Sequence, residues 1–316
     1  MSTQVIFLMG PTASGKTAAA LKLADVFDVE LISVDSALVY KGMDIGTAKP
    51  DAETLKKYPH HLIDIREPWE TYSVAEFRND ALGLISEIQA RNKIPLLVGG
   101  TMLYFRSLEQ GITPLPSADA IIREQLQQRL HAQGLAALHE ELQTCDPRAA
   151  ARIHPNDPQR ILRALEVFTV SGKCLSDWWD EQAKSALPFE AIKIVVSPDD
   201  RAVLHQRIEQ RFDQMLAQDF LDEARQLFAE KHLHAELPSM RSVGYRQAWM
   251  FLCGKLNESE FRQKAVVATR QLAKRQLTWL RSEQNSHWFD SQSGDFVTQI
   301  IQFLDSKGIK RLTTSS

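Results

Sequence analysis

The chain opens on a short unbroken apolar run, Val5-Ile6-Phe7-Leu8-Met9, within residues 4–9, that stops at Gly10. Such a run predicts a strand buried on both faces. Alanines, leucines and lysines then alternate at helical spacing from about 16 to 27. A second strand is predicted over Val29-Glu30-Leu31-Ile32-Ser33-Val34, ending at Asp35-Ser36. Val74, Phe77, Ala81, Leu84, Ile85 and Ile88 place an apolar stripe on a helix over 73–91. A third strand, Ile94-Pro95-Leu96-Leu97-Val98, stops at Gly99-Gly100-Thr101. Apolar strands alternating with helices predict an α/β fold, a parallel sheet covered on both faces.

The pattern changes after Gly111-Ile112-Thr113-Pro114-Leu115-Pro116, a connector stiffened by its prolines. Only helical periodicity follows to about 183, broken at Asp146-Pro147 and at Pro155-Asn156-Asp157-Pro158. A strand returns at Ala191–Ser197, then helices over 199–231 and 257–281, a last strand at 287–290 and a polar tail, Lys310–Ser316, expected to fray. The expected organisation is a core of 1–116 and 188–316 with an all-helical insertion at 117–187. A length of 316 residues agrees with two domains at ~150 residues each.

Composition narrows the class. With 44% apolar and 24% charged residues the chain can bury a core, which excludes overall disorder. A net charge of −3 means that any polyanion must be met by a local basic patch. Cys145, Cys174 and Cys253 are scattered, which argues against a disulfide framework or a structural zinc site and for a reducing compartment. No apolar run approaches the ~18 residues of a membrane span, and the N-terminus lacks the marks of a leader. A soluble cytoplasmic protein is expected.

The first candidate chemistry lies at Gly10-Pro11-Thr12-Ala13-Ser14-Gly15-Lys16-Thr17, a full GxxxxGK[ST] between a strand and a helix. Glycines there let backbone N–H groups converge on an anion, the helix N-terminus and Lys16 add positive charge, and the Thr17 hydroxyl suits Mg²⁺. The motif predicts a polyphosphate site in a P-loop NTPase-like sheet without specifying the reaction. Asp35, at a strand end, faces the same crevice if its strand neighbours the first. It then serves as a magnesium partner, as a base toward a nucleophile, or as a helix cap. Thr101 follows two glycines, as either a ligand contact or a cap.

From Arg262 to Arg281 there are six basic residues (Arg262, Lys264, Arg270, Lys274, Arg275, Arg281) and no acid. Unrelieved, such a run weakens a helix, and a bound polyanion would offset the repulsion. Arg241-Ser242-Val243-Gly244-Tyr245-Arg246 and Gln159-Arg160-Ile161-Leu162-Arg163 add two more clusters. Cations mixed with aromatics suit single-stranded RNA. His60-His61, His232 and His234 lack a third metal ligand and read as exposed or capping residues.

Taken together, GPTASGKT at 10–17, SVDS at 33–36, YKGMDIGTAKP at 40–50, LLVGGT at 96–101, RIHPNDPQR at 152–160, RSVGYRQ at 241–247 and LAKRQLTWLR at 272–281 closely resemble the tRNA dimethylallyltransferase family, over about residues 4–290. The resemblance implies a P-loop core with a helical insertion that grips the tRNA anticodon stem-loop, dimethylallyl diphosphate as donor, Mg²⁺ as metal and no membrane. A monomer is expected. It implies that Thr12–Thr17 and Arg211 hold the diphosphate, that Asp35 is the general base and that Thr101 lies near the reacting adenine. It further implies tRNA contacts at Asp35, Ser36, Ala37, Leu38, Arg123, Gln159–Arg163, Arg241–Arg246 and Lys274-Arg275-Gln276-Leu277-Thr278-Trp279-Leu280-Arg281. Three positions depart from the family pattern: Leu38 replaces a common Gln, Met102 a common Gly, and Asp219 a Gly between two helices. Two rival readings are a nucleotide-type small-molecule kinase and a non-catalytic RNA-binding ATPase module. Both are disfavoured by a third strand ending in Gly-Gly-Thr and not in an acid.

Overall fold

A computed structural model describes residues 4–113, 115–117, 119–181 and 189–312. Pro114 of the connector, the insertion's C-terminal end at 182–187 and the last four residues of the tail lie outside the described residues. The chain divides into two compact units, Met1–Leu108 with Leu187–Ser316, and Glu109–Ala186.

In the first unit the order is β1 (Gln4–Met9), α1 (Lys16–Ala24), β2 (Val29–Val34), α2 (Ala52–Lys57), β3 (His60–His61), α3 (Val74–Ala90), β4 (Ile94–Gly99) and α4 (Met102–Gln110). The second unit is helical: α5 (Ala120–Cys145), α6 (Pro147–Arg152), α7 (Pro158–Ser171) and α8 (Leu175–Asp180). The first unit resumes with β5 (Glu190–Ser197), α9 (Arg201–Ala217), α10 (Phe220–Ala229), α11 (Tyr245–Leu252), α12 (Glu258–Leu280), β6 (Ser286–Asp290) and α13 (Phe296–Ser306). The helical stretch expected over 199–231 is two helices that part at Asp219, the position where the family pattern has a Gly between two helices, and Asp219 takes a left-handed backbone (φ 65) there. An aspartate tolerates that region better than most residues.

The six strands are all parallel, in the order β3-β2-β4-β1-β5-β6. β1 and β2 are therefore not neighbours: β4 stands between them, which puts their ends about two strand spacings, ~10 Å, apart. Register compensates. Met9 pairs with Gly99 and Gly99 with Val34, so Gly10, Gly100 and Asp35 leave the sheet at one level.

Side chains alternate across this sheet as period-2 geometry requires. Val5, Phe7, Met9, Ile32, Val34 and Leu97 pack on one face with Phe77, Ala81, Ile85 and Ile88 of α3. Ile6, Leu8, Leu31, Leu96 and Ile194 pack on the other with Ala19, Ala20 and Leu23 of α1 and Ile300 and Leu304 of α13. Each such side chain contributes about 1.5–3 kcal/mol through burial. The second unit has a core of its own, built on Leu126, Leu138, Leu142, Ile161, Leu165 and Leu175. Among the described residues no helix is long and apolar enough to cross a membrane.

Candidate active site

The loop from β1 to α1 is shaped by two left-handed residues, Ala13 (φ 61) and Gly15 (φ 94). Gly15 takes that backbone without steric cost, whereas Ala13 carries a strain that functional loops commonly store. The first N–H groups of a helix have no intrahelical acceptor. Those of Gly15, Lys16 and Thr17 find none among the described residues. They form a cradle for an anion, reinforced by the helix dipole. Lys16 Nζ donates to the Pro11 carbonyl at 3.2 Å.

Between this loop and the end of β2 lies the Gly-Gly turn of β4. A Cβ on Gly99 would stand 2.0 Å from the Val34 carbonyl oxygen. On Gly100 it would stand 2.3 Å from Gln276 Nε2 and 3.1 Å from the Gly10 oxygen. The glycines thus let three backbone segments converge. Gln276 ties two of them: Thr12 N–H donates to its Oε1 and its Nε2 donates to the Gly100 carbonyl, both at 2.9 Å. Thr101 ties the third, its Oγ1 accepting from Ser36 N–H at 3.1 Å. Asp35 Oδ1 accepts from Ala37 N–H (2.8 Å) and Leu38 N–H (3.3 Å). No helix directly follows Asp35, so these bonds close a turn and do not make the helix cap weighed from sequence; they fix the carboxylate while Oδ2 accepts no hydrogen bond from the described residues.

A cavity of about 160 Å³ opens onto Lys16, Thr17, Asp35 and Arg211. An apolar part of its wall is made by Leu38, Ile63, Ile208, Phe212, Met215 and Leu272, beside polar side chains that include His60, Thr269 and Gln276. A wider hollow of about 860 Å³ shares Ala13, Lys16, Thr17, Ala48, Pro50, Arg211 and Met215 with it, so the two meet at the cradle. Thr101 lines neither. Burial, then repulsion from Arg211, pulls the Lys16 ammonium down to about 8, against the opposing attraction of Asp35. Burial likewise lowers Arg211, again opposed by Asp35. Two desolvated cations thus face a single carboxylate. The imbalance favours a bound anion.

The basic residues fare differently from expectation. Arg262 and Arg270 are paired across to α9: Arg262 with Asp213 (2.6 Å) and Glu209 (3.2 Å), Arg270 with Glu209 (3.0 Å). The acids missing from the run come from another helix. Lys274, Arg275, Arg281, Arg241 and Arg246 remain exposed. Three expected RNA contacts are corrected by burial, and a fourth, Gln276, is placed on the cavity wall. Ile161, Tyr245 and Leu280 are buried in apolar cores, and the amide of Gln276 is engaged inside the site. Within the second unit, the Arg123 and Arg163 guanidiniums are both held by the buried Glu166, at 2.9 and 2.8 Å, and Arg160 is exposed beside Asp157.

Three functional positions escaped sequence reasoning. Arg207, four residues before Arg211 and so on the same helical face, donates to Ser291 (2.8 Å) and to the Ser14 carbonyl (3.5 Å), buttressing the cradle. Glu223 accepts the N–H groups of Asp44, Ile45 and Gly46 at 2.9, 2.7 and 3.1 Å, together with the Tyr245 hydroxyl, and so anchors the 40–50 segment. His60 is neither exposed nor a cap. It lines the smaller cavity, its Nδ1 bonded to the Tyr58 carbonyl at 2.6 Å, and burial lowers its pKa. His61 pairs with Glu30 at 3.2 Å.

No group of three or more His, Cys, Asp or Glu among the described residues could hold a metal unaided. Magnesium does not require one, since it keeps waters and binds through one or two protein groups plus substrate phosphates. The Thr17 hydroxyl, at the cradle and near Asp35, fits that sparse donor set.

Residues 38–283 match a family described as IPP transferase. The chain is 37% identical to the tRNA isopentenylpyrophosphate transferase of Bacillus halodurans over 97% of each chain, with a TM-score of 0.72. It is 32% identical to the tRNA delta(2)-isopentenylpyrophosphate transferase of Staphylococcus epidermidis, covering 96% of this chain and 99% of that one, at a TM-score of 0.69. A eukaryotic dimethylallyltransferase acting on tRNA aligns over 99% of this chain and 82% of its own, at 26% identity and a TM-score of 0.82.

Proposed function

The chain belongs to the IPP transferase family, and from that premise we propose that it transfers a dimethylallyl group from dimethylallyl diphosphate to N6 of the adenosine immediately 3′ of the anticodon in tRNA, releasing diphosphate. The observation that carries this reading is the Lys16–Arg211 pair, two desolvated cations facing one carboxylate beside an apolar wall. A diphosphate supplies the missing negative charge. Ile208, Phe212, Met215 and Leu272 suit its five-carbon tail.

As the allylic C–O bond breaks, charge grows on the departing diphosphate. Lys16, Arg211 and the N–H groups of Gly15, Lys16 and Thr17 stabilise that charge where it develops. The acceptor nitrogen is a weak nucleophile because its lone pair is delocalised into the ring. Asp35, with Oδ1 held by two N–H groups, presents Oδ2 to take the N6 proton as the N–C bond forms. The Thr17 hydroxyl would hold magnesium, which when bound would supply Lewis-acid stabilisation of the leaving group. The adenine must leave its stack to reach an enclosed cavity, and RNA seated over it keeps water from the allylic carbon. The helical unit Glu109–Ala186 grips the anticodon stem-loop through Arg123, Gln159, Arg160 and Arg163, while Lys274, Arg275, Arg241 and Arg246 meet phosphates. The protein acts as a monomer in the cytoplasm, where its RNA substrate resides.

The experiment mixes protein, Mg²⁺ and an anticodon stem-loop RNA with either dimethylallyl diphosphate or ATP, and reads RNA mass. The allylic donor adds five carbons, whereas ATP adds nothing. Asp35→Asn lowers turnover by ~10²–10⁴-fold with both substrates bound within a few-fold of wild type. Consumption of ATP with unaltered RNA would return the kinase reading.

A further inference from the structure

We infer that Gln276 is a positioning residue that sets the separation between the leaving-group cradle and the base, an inference that rests on the transfer reaction proposed above. Sheet pairing ends at Met9, Gly99 and Val34. Beyond those residues the cradle, the Gly100 turn and the Asp35 segment have no ladder to keep them in step. One backbone bond, Thr101 N–H to the Val34 carbonyl at 3.2 Å, holds the turn to the end of β2, and side chains make the other ties. One amide joins the first two, accepting from Thr12 N–H and donating to the Gly100 carbonyl. The next residue, Thr101, accepts from Ser36 N–H, adjacent to Asp35. The result is a continuous path, Thr12 to Gln276 to Gly100 and Thr101 to Ser36, from one reacting group's support to the other's.

Two features single out glutamine here. The path needs an acceptor toward Thr12 and a donor toward Gly100, which a carboxamide supplies and a carboxylate or thioether does not. Its approach also needs a glycine at 100, where a Cβ would stand 2.3 Å from Nε2. The strut stands on a fixed support, because Ala273 and Leu280 of the same helix are buried. Its amide lines the cavity without belonging to the cationic cradle. Displacing reacting groups by about an ångström costs on the order of 10²-fold in rate.

The test compares wild type, Gln276→Met and Gly100→Ala in single-turnover transfer, in binding of inorganic diphosphate and in binding of the stem-loop RNA. Gln276→Met is expected to slow transfer ~10–10²-fold while both affinities stay within about threefold. Gly100→Ala, which evicts the amide without altering residue 276, is expected to slow transfer similarly, and the double variant no further than the worse single one. Gln276→Glu keeps the acceptor, loses the donor and sets a negative charge beside the cradle, so it also weakens diphosphate binding. Wild-type transfer rates in a folded Gln276→Met protein, or rate losses in the two single variants that multiply in the double, would overturn the role. If Gln276→Met does not fold, full activity in Gly100→Ala overturns it equally. Absence of transfer by wild type would instead overturn the parent reading.

Discussion

Two pairs of basic side chains on α9 and its neighbours illustrate opposite uses of positive charge. Arg262 and Arg270 of α12 meet Glu209 and Asp213 of α9 and are largely neutralised. Lys16 and Arg211 repel each other and share the carboxylate of Asp35, in surroundings that penalise both charges. In sequence the first pair looks like the polyanion site, because no acid lies nearby along the chain. In three dimensions the second pair has the unmet demand. Availability of a cation depends on what the fold places opposite it, and on how much water it keeps.

The contrast can be broken most severely at Arg211. Arg211→Ala removes one of the two uncompensated charges and is expected to lower turnover by ~10²–10³-fold, as measured by RNA mass under saturating donor. Arg262→Ala should leave turnover unchanged and lower stability by under ~1 kcal/mol, since its pairs are half in water.

Next in size is a pH effect. Lys16 is protonated below about 8 in the free protein. Inorganic diphosphate requires the ammonium form, so affinity is full below that value and falls as pH rises through it, by up to ~tenfold per unit. Titration calorimetry above pH 8 should show one proton taken up on binding, and Lys16→Met should abolish that uptake.

The smallest effect concerns RNA. Lys274→Ala is expected to weaken stem-loop binding a few-fold and to reduce the slope of log affinity against log salt by about one. The same measurement on Arg262→Ala should leave the slope unaltered, because that guanidinium is already engaged with protein carboxylates.

Much of the fold was legible because it is local. Apolar runs marked β1, β2, β4, β5 and β6, and the cradle motif marked the start of α1. What periodicity does not encode is which strand lies beside which, and the insertion of β4 between β1 and β2 changed how Asp35 relates to the cradle. Helical spacing also said that 257–281 would be one helix, but not which side of it faces inward. The family resemblance carried Gln276 and Leu280 along with Lys274 and Arg275 as RNA contacts, and spacing alone could not separate them, although the fold engages Gln276 and buries Leu280. The break within 199–231 was legible through the family pattern, which has a Gly at 219, and not from periodicity, since an aspartate advertises no break by itself. Glu223 and Arg207 were invisible because their partners lie far away along the chain. Arg207 alone left a hint, in its four-residue offset from Arg211.

Glu223 carries one more consequence. The protein works among nucleotides and nucleic acid, and every phosphate in that mixture is a candidate visitor to converging N–H groups. The concave stretch of backbone at Asp44–Gly46 comes with a tenant already installed, a carboxylate tethered to the same chain. Glu223→Ala would remove the tenant, leave the N–H groups of Asp44, Ile45 and Gly46 without their acceptor, and open that address to free phosphate.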